Sequence, residues 1–206
     1  MRTISERKIA AKASLGNGIF STNWMSGVLV NFIMWGATAV AGALSVGVLS
    51  LLVLGPLACG LCACYLKNAM DHKKIEVENM FAAFKVDFGG TFILGLLMDV
   101  FLTLWTLLFV IPGIVKYYSY SMSYYVKSEH PEYTWKQCID TSRRLMKGHK
   151  AELFWQDFSF IGWAIIGSLC LGIGFLWVNA YAEAAKAEFY KDLVGSAAVV
   201  DVSFTE

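Results

Sequence analysis

The residues of this chain that could do chemistry are few, and they sit in apolar company. Asp99 lies in the run Leu96-Leu97-Met98-Asp99-Val100-Phe101. Glu183 and Lys186 share the stretch Tyr181-Ala182-Glu183-Ala184-Ala185-Lys186, with Asn179 one turn earlier. Lys116 follows Pro112 and Gly113 and opens a tyrosine- and serine-rich run that includes Tyr117, Tyr120 and Tyr124. A polar group inside hydrocarbon is costly, so it faces protein, water or a bound polar molecule. The chemistry expected of Asp99, Lys116, Tyr117, Tyr120, Tyr124, Asn179, Glu183 and Lys186 is therefore binding: a polar interior for a lipid headgroup, an ion or a peptide. The competing expectation is structural. Asp99 would then hydrogen-bond tyrosine hydroxyls, Glu183 would pair with Lys186 at i,i+3, and Lys116 would snorkel to the outer surface.

Nothing in the chain reads as catalytic machinery. HExxH, GxSxG, P-loop and GxGxxG patterns are absent from the sequence. His130 stands beside Pro131 and His149 between Gly148 and Lys150, neither with an obvious nucleophile. The run Cys59-Gly60-Leu61-Cys62-Ala63-Cys64 puts two thiols on one helix face and the third away from it, so a metal site is not expected. The expectation is a non-enzyme without cofactor or metal.

The elements that must position these groups follow from composition. The chain has 206 residues, 57% hydrophobic and 16% charged, with a mean hydropathy of +0.54. Soluble domains are nearer 45–50% apolar and about 25% charged, so the balance is that of a membrane protein. The net charge of +1 gives no reason to expect a nucleic-acid partner. The five cysteines include four in apolar stretches, which does not suit a secreted disulfide framework. Long apolar runs cover 24–66, 91–115 and 158–178, and a single span needs about 20 residues. The first run is interrupted near Ser45–Gly47 and at Gly55–Pro56. Gly36, Gly162 and Gly167 read as packing positions.

The breaks at Gly55–Pro56, Pro112–Gly113 and Gly172–Gly174 recur about every 60 residues, and each following helix ends in a Tyr-Lys patch: Tyr65 with Lys67, Tyr125 with Lys127, Tyr190 with Lys191. The expected fold is all-α: an integral membrane protein of about six transmembrane helices in three hairpins, with four spans as the alternative. Repeats would cover 1–73, 74–132 and 133–195, with 196–206 as a flexible tail.

Amphipathic stretches punctuate the hairpins. From Thr134 to Lys147, Trp135, Cys138, Ile139, Ser142, Leu145 and Met146 share one face, with Thr134 and Gln137 as a capping box. Lys136, Arg143, Arg144 and Lys147 lie on the other, and Lys150 follows. Val77, Met80, Phe81, Phe84 and Phe88 form a second stripe, and Ile4, Ile9 and Leu15 a weaker third. Such helices lie in an anionic headgroup layer, which makes Arg143, Arg144, Lys147 and Lys150 membrane-surface residues. Four segments expected on one side hold 16 of the 17 Lys and Arg residues, leaving out only Lys116. Excess positive charge marks the cytoplasmic side, so both termini are expected there, in a bacterial plasma membrane. Expected partners are the bilayer with its anionic lipids, and a membrane protein or a second copy of the chain.

Three stretches carry a family resemblance: Trp105–Met122, Ser142–Trp163 and Leu171–Tyr190. Together they resemble the bacterial membrane-protein family known as domain of unknown function 975. The resemblance implies a multi-pass membrane protein and no particular reaction. Where members of that family carry Pro before the tyrosine of the last stretch, this chain has Ala180, so the kink a proline would give is not expected. The functional expectation is a module that binds or transports a lipid headgroup or small peptide, in export or self-protection. The alternative is a scaffold that recruits partners or shapes anionic membrane.

Overall fold

The computed structural model describes residues 2–16, 18, 20–44, 48–71, 74–108, 110–169 and 173–203. All regular elements among them are helices: α1 Ile4–Leu15, α2 Thr22–Leu44, α3 Val48–Asp71, α4 Val77–Met80, α5 Ala82–Val86, α6 Phe88–Leu108, α7 Val110–Tyr120, α8 Ser123–Glu129, α9 Trp135–Leu145, α10 Lys150–Leu169 and α11 Ile173–Ser203. The order short helix, long helix, second helix occurs three times. Among the described helices, one segment, Phe88–Leu107, is long and apolar enough to cross a membrane, with hydropathy 1.8.

The chain divides into two compact units. The first comprises Met1–Val28, Tyr65–Ile75 and Ala151–Glu206. Here α1 packs on α11, and its buried face shares only Leu15 with the expected Ile4–Ile9–Leu15 stripe. Ile9 is exposed, while Arg7, Ala11, Ser14 and Leu15 are buried. A buried arginine is tolerable only when its donors and charge are satisfied, and here they are. Arg7 Nη2 lies 2.9 Å from Glu152 Oε2, Nη1 donates to Gln156 Oε1 at 3.1 Å, and the guanidinium carbon sits 4.6 Å over the Phe189 ring. Thr3 caps α1 with Glu6 in a reciprocal capping box. At the other end, Gly16 takes φ 104°, and a Cβ there would also strike Ser21 Oγ. Ser21 Oγ donates to the Leu15 carbonyl, and Asn23 and Asn68 to that of Ser14, satisfying carbonyls that a helix end leaves open.

The second unit comprises Leu29–Cys64 and Glu76–Lys150. In it α4 packs on α3: Cys64 Sγ donates to the Glu76 carbonyl at 3.5 Å, and Gly60 abuts the Met80 backbone. α6 and α7 form a hairpin, with Gly113 against Thr106. α9 packs on α6, α7 and α8. The stripe of the second third is split: Met80 is buried, but Phe81 and Phe88 are exposed; Phe84, Phe88 and Phe92 stack in sequence, with Phe81 tilted against Phe84.

The expected breaks need correction. α3 runs unbroken through Pro56, where Gly55 lies against the Thr91 carbonyl and Gly95 on α6. That packing holds the helix although proline removes one of its hydrogen bonds. Pro112 and Gly113 lie inside α7, because Pro112 occupies the first turn, where its missing N–H has no helical acceptor to lose. Ser45–Gly47, Cys170 and Gly172 fall outside the described residues. Gly167 packs against Gly174 as a packing glycine should, whereas Gly36 and Gly162 face open space. α11 continues through the buried Ala180 and on to Ser203, so the expected tail from 196 begins as helix.

Candidate functional site

The second unit contains a cleft of about 330 Å³ between the α6–α7 hairpin and α9. Local sequence explains how its walls form. The Thr134–Gln137 capping box starts α9: Thr134 Oγ1 accepts from the Gln137 N–H, and Gln137 Oε1 accepts from the Thr134 N–H at 2.8 Å. The expected apolar face then turns inward. Cys138, Ile139, Ser142 and Met146 are buried, and Ser142 Oγ donates to the Ser119 carbonyl at 2.8 Å, laying α9 along α7. Burial pushes the Cys138 thiol up to about 11, so it stays protonated near neutrality. Arg143, Arg144, Lys147 and Lys136 are exposed, as the pattern required.

The loop before α9 is held by Lys127, which is 2% exposed at its side chain. Its ammonium donates to Asp87 Oδ2 at 2.5 Å, to the Pro131 carbonyl at 2.7 Å and to the Tyr133 carbonyl at 2.8 Å. Lys127, and then the Gly90 N–H, hold the Asp87 carboxyl below the usual carboxylate range. In the sequence, Lys127 stands out only as part of a Tyr-Lys patch. Its spacing after Tyr125 was visible, but its three acceptors come from two separate segments.

Phe101, Trp105, Tyr120, Trp135 and Ile139 give the cleft apolar and aromatic walls. Lys116, Lys136, Asp140 and Arg143 give it charge. The Lys116 ammonium lies 4.7 Å over the centroid of the Trp105 ring, a cation–π contact. Arg143 Nη1 lies 3.3 Å from Asp140 Oδ1. Of the two expectations for Lys116, a place in a binding interior or at the outer surface, the structure bears on its grouping: it sets Lys116 with Lys136 and Arg143 of α9. The physical reason is the loop 130–134 between α8 and α9, which lets α9 fold back along α8 and α7.

Of the other expected binding residues, Asp99 and Tyr124 lie near one another, and the rest lie apart from them. Asp99 is exposed on α6 but is not among the cleft residues, since positions 99 and 101 project from different sides of a helix. The Tyr124 hydroxyl lies beside Gly95, and Tyr117 is exposed against Tyr118. In the first unit, Lys186 Nζ lies 3.6 Å from Glu183 Oε1, the expected i,i+3 pair, and Asn179 is half-buried on the same helix. Lys150 is half-buried at the start of α10.

These features define an all-helical protein of paired long helices and short amphipathic ones, with an aromatic and cationic cleft. Residues 106–197 match the model of the family described as protein of unknown function (DUF975), the same family the sequence resembles. The matched stretch includes Lys116 and every cleft residue on α7 and α9. Comparison with curated proteins and with solved structures gives no match.

Proposed function

We infer that this is a multi-pass protein of the bacterial plasma membrane that holds an amphiphile, a lipid headgroup or small membrane-active peptide, in the α6–α7–α9 cleft. The observation that carries this reading is the cleft itself, where aromatic side chains of an apolar hairpin meet cations of an amphipathic helix. Such a surface suits a molecule with one greasy and one charged end.

Membrane residence is supported by what the long helices expose. Leu29, Phe32 and Trp35 on α2 stand outward, as do Leu104, Ile111 and Ile114 on the α6–α7 hairpin, with Leu107 83% exposed. On α10, Trp155, Phe158, Trp163 and Ile165 do the same. Contiguous exposed apolar faces of this extent suit lipid rather than water. α7 and α8, separated by two turn residues, together cover 110–129 and rise about 30 Å, the thickness of a hydrocarbon core. The hairpin is therefore read as two crossings, one by α6 and one by α7 with α8, whose Lys127 returns to Asp87 at the start of α6, within an arrangement of six spans whose termini are cytoplasmic.

A threefold internal repeat is supported by one recurring pairing, seen each time within a single unit. The short helix of each third lies on the second long helix of another: α4 on α3, α9 on α7–α8, α1 on α11. Tyr65, Tyr125 and Tyr190 are buried at matching places.

The test is mass spectrometry of whatever stays with the protein extracted in native nanodiscs without detergent. A stoichiometric amphiphile lost from the Trp105→Ala/Lys116→Ala variant is the expected result. Bulk lipid alone in both proteins overturns it. The scaffold alternative is favoured by the outward aim of Arg144 and Lys147. It predicts instead a reproducible protein partner that disappears when Arg143, Arg144, Lys147 and Lys150 are changed to Gln.

A further inference from the structure

We propose that the occupant of this cleft is a glycerophospholipid with an anionic headgroup, its phosphate set among Lys116, Lys136 and Arg143. This rests on the amphiphile reading above and adds the ligand's chemistry. Charge is the first argument. The cleft gathers three cations and one carboxylate, and that carboxylate, Asp140, is engaged by Arg143 from one turn away. Among the described residues Lys116 and Lys136 have no carboxylate partner, so positive charge is left over for a ligand. The surplus is placed for use: the ring of Trp105 supports the Lys116 ammonium from one side and accepts none of its hydrogen bonds in the way a carboxylate would, leaving N–H donors for a phosphate oxygen. Arg143 can exchange the exposed Asp140 pair, worth little in solvent, for a phosphate without stranding a buried charge.

Size is the second argument. About 330 Å³ is near the lower limit for small-molecule sites. It suits a glycerophosphate headgroup with the first carbons of its chains, and is small for a folded peptide. Position is the third. Phe101 and Trp105 belong to the segment Phe88–Leu107, the described helix apolar enough to cross a membrane. The neighbouring Leu104, Leu107 and Ile111 are exposed, so an apolar surface for acyl chains continues from the cleft. Trp, Lys and Arg together at the edge of an apolar helix are the side chains that suit the headgroup level.

The experiment places the full-length protein in nanodiscs of equimolar phosphatidylglycerol and phosphatidylcholine and measures, by native mass spectrometry, which lipid is retained on the protein. Wild type is expected to enrich phosphatidylglycerol at least about tenfold, the equivalent of one good charge-assisted contact. Lys116→Gln/Arg143→Gln should abolish the enrichment, Lys116→Arg should keep it, and Lys147→Gln, an exposed cation outside the cleft, should leave it unchanged. Thermal melting of each variant identifies any that fails to fold; should the double variant do so, Lys136→Gln alone is read instead. Enrichment that survives the cleft variants, or falls equally with Lys147→Gln, overturns the proposal in favour of general surface attraction. Displacement of phosphatidylglycerol by millimolar inorganic phosphate makes the site one for free phosphate and overturns the lipid assignment. A retained neutral lipid or peptide defeats the phospholipid inference while leaving the amphiphile reading intact, and retention of nothing defeats both.

Discussion

The Lys127 ammonium and the Asp87 carboxylate meet at 2.5 Å, with the lysine side chain almost wholly enclosed and the aspartate only partly so. With the Pro131 and Tyr133 carbonyls, the lysine finds three acceptors for its three N–H donors. The pair ties the start of α6 to the loop that launches α9, and so to one wall of the cleft.

Asp87→Asn should leave the enclosed cation without its counter-charge. The expected cost is about 1–3 kcal/mol, moderated because Asp87 is partly solvated. It is read as a lower melting temperature in nanodiscs. The folded-state pKa of Asp87 lies below its unfolded value. The stabilisation is therefore complete above the unfolded carboxylate value and disappears as pH falls through the folded one. The melting temperatures of wild type and variant should differ at neutral pH and begin to converge only as pH falls below about 4, meeting in stronger acid. A constant difference down to strong acid would show that the pair is not the source.

Arg7→Met should detach α1 from α11 by removing the guanidinium that Glu152, Gln156 and Phe189 surround. Glu152 is partly solvated and Asp192 keeps Arg2, so the cost is about 1–3 kcal/mol, that of the lost charged hydrogen bonds. In a background lacking the native cysteines, a probe cysteine at the buried position Ala11 reports the change. Its maleimide labelling should be slow with Arg7 present and fast without it. Equal rates would mean that apolar contacts alone hold the helix.

Thr134→Ala removes the cap of α9 and should cost about 1 kcal/mol. Gln137→Ala should lose less, because the threonine oxygen still accepts from an amide. Thermal melting separates the two, and equal, negligible shifts would mean that α9 is held by its buried face alone.

Gly60→Ala and Gly89→Ala should behave oppositely. A Cβ at Gly60 collides with the Met80 backbone, whereas one at Gly89 meets nothing within 4 Å. The first substitution should destabilise by about 1–3 kcal/mol, in the manner of an overpacked core. The second should be neutral or gain up to about 1 kcal/mol from helix propensity. Paired melting curves decide, and matching shifts would refute the α3–α4 contact.

What the sequence could reveal was local. The stripe and cap of α9 were legible because helical periodicity and the Thr134–Gln137 spacing lie within one short segment. The Glu183–Lys186 pair was legible for the same reason. Arg7 was not, because nothing near α1 in sequence indicates that Glu152, Gln156 and Phe189 will enclose it. Pro56 was misread as a break because proline rules treat a helix alone, and the contacts of Gly55 with α6 lie outside it. Of the cleft, Lys116 and Tyr120 were recognised as candidates, while Trp105, Trp135, Lys136, Asp140 and Ile139 were not assigned to a site. Their convergence depends on the fold-back between α8 and α9, which no hydropathy window contains.

The pairing of α1 with α11 sets a timetable. α4 and α9 each rest on a helix that the ribosome has already delivered. α1 emerges early, and the carboxylates that neutralise Arg2 and Arg7 at Glu188 and Asp192 come far later. Until then its arginines remain hydrated, and its lodging is left empty. Closing such a long loop is slow compared with local helix pairing. Unit one should therefore mature last, leaving a window in which a nascent α1 is accessible to chaperones or proteases.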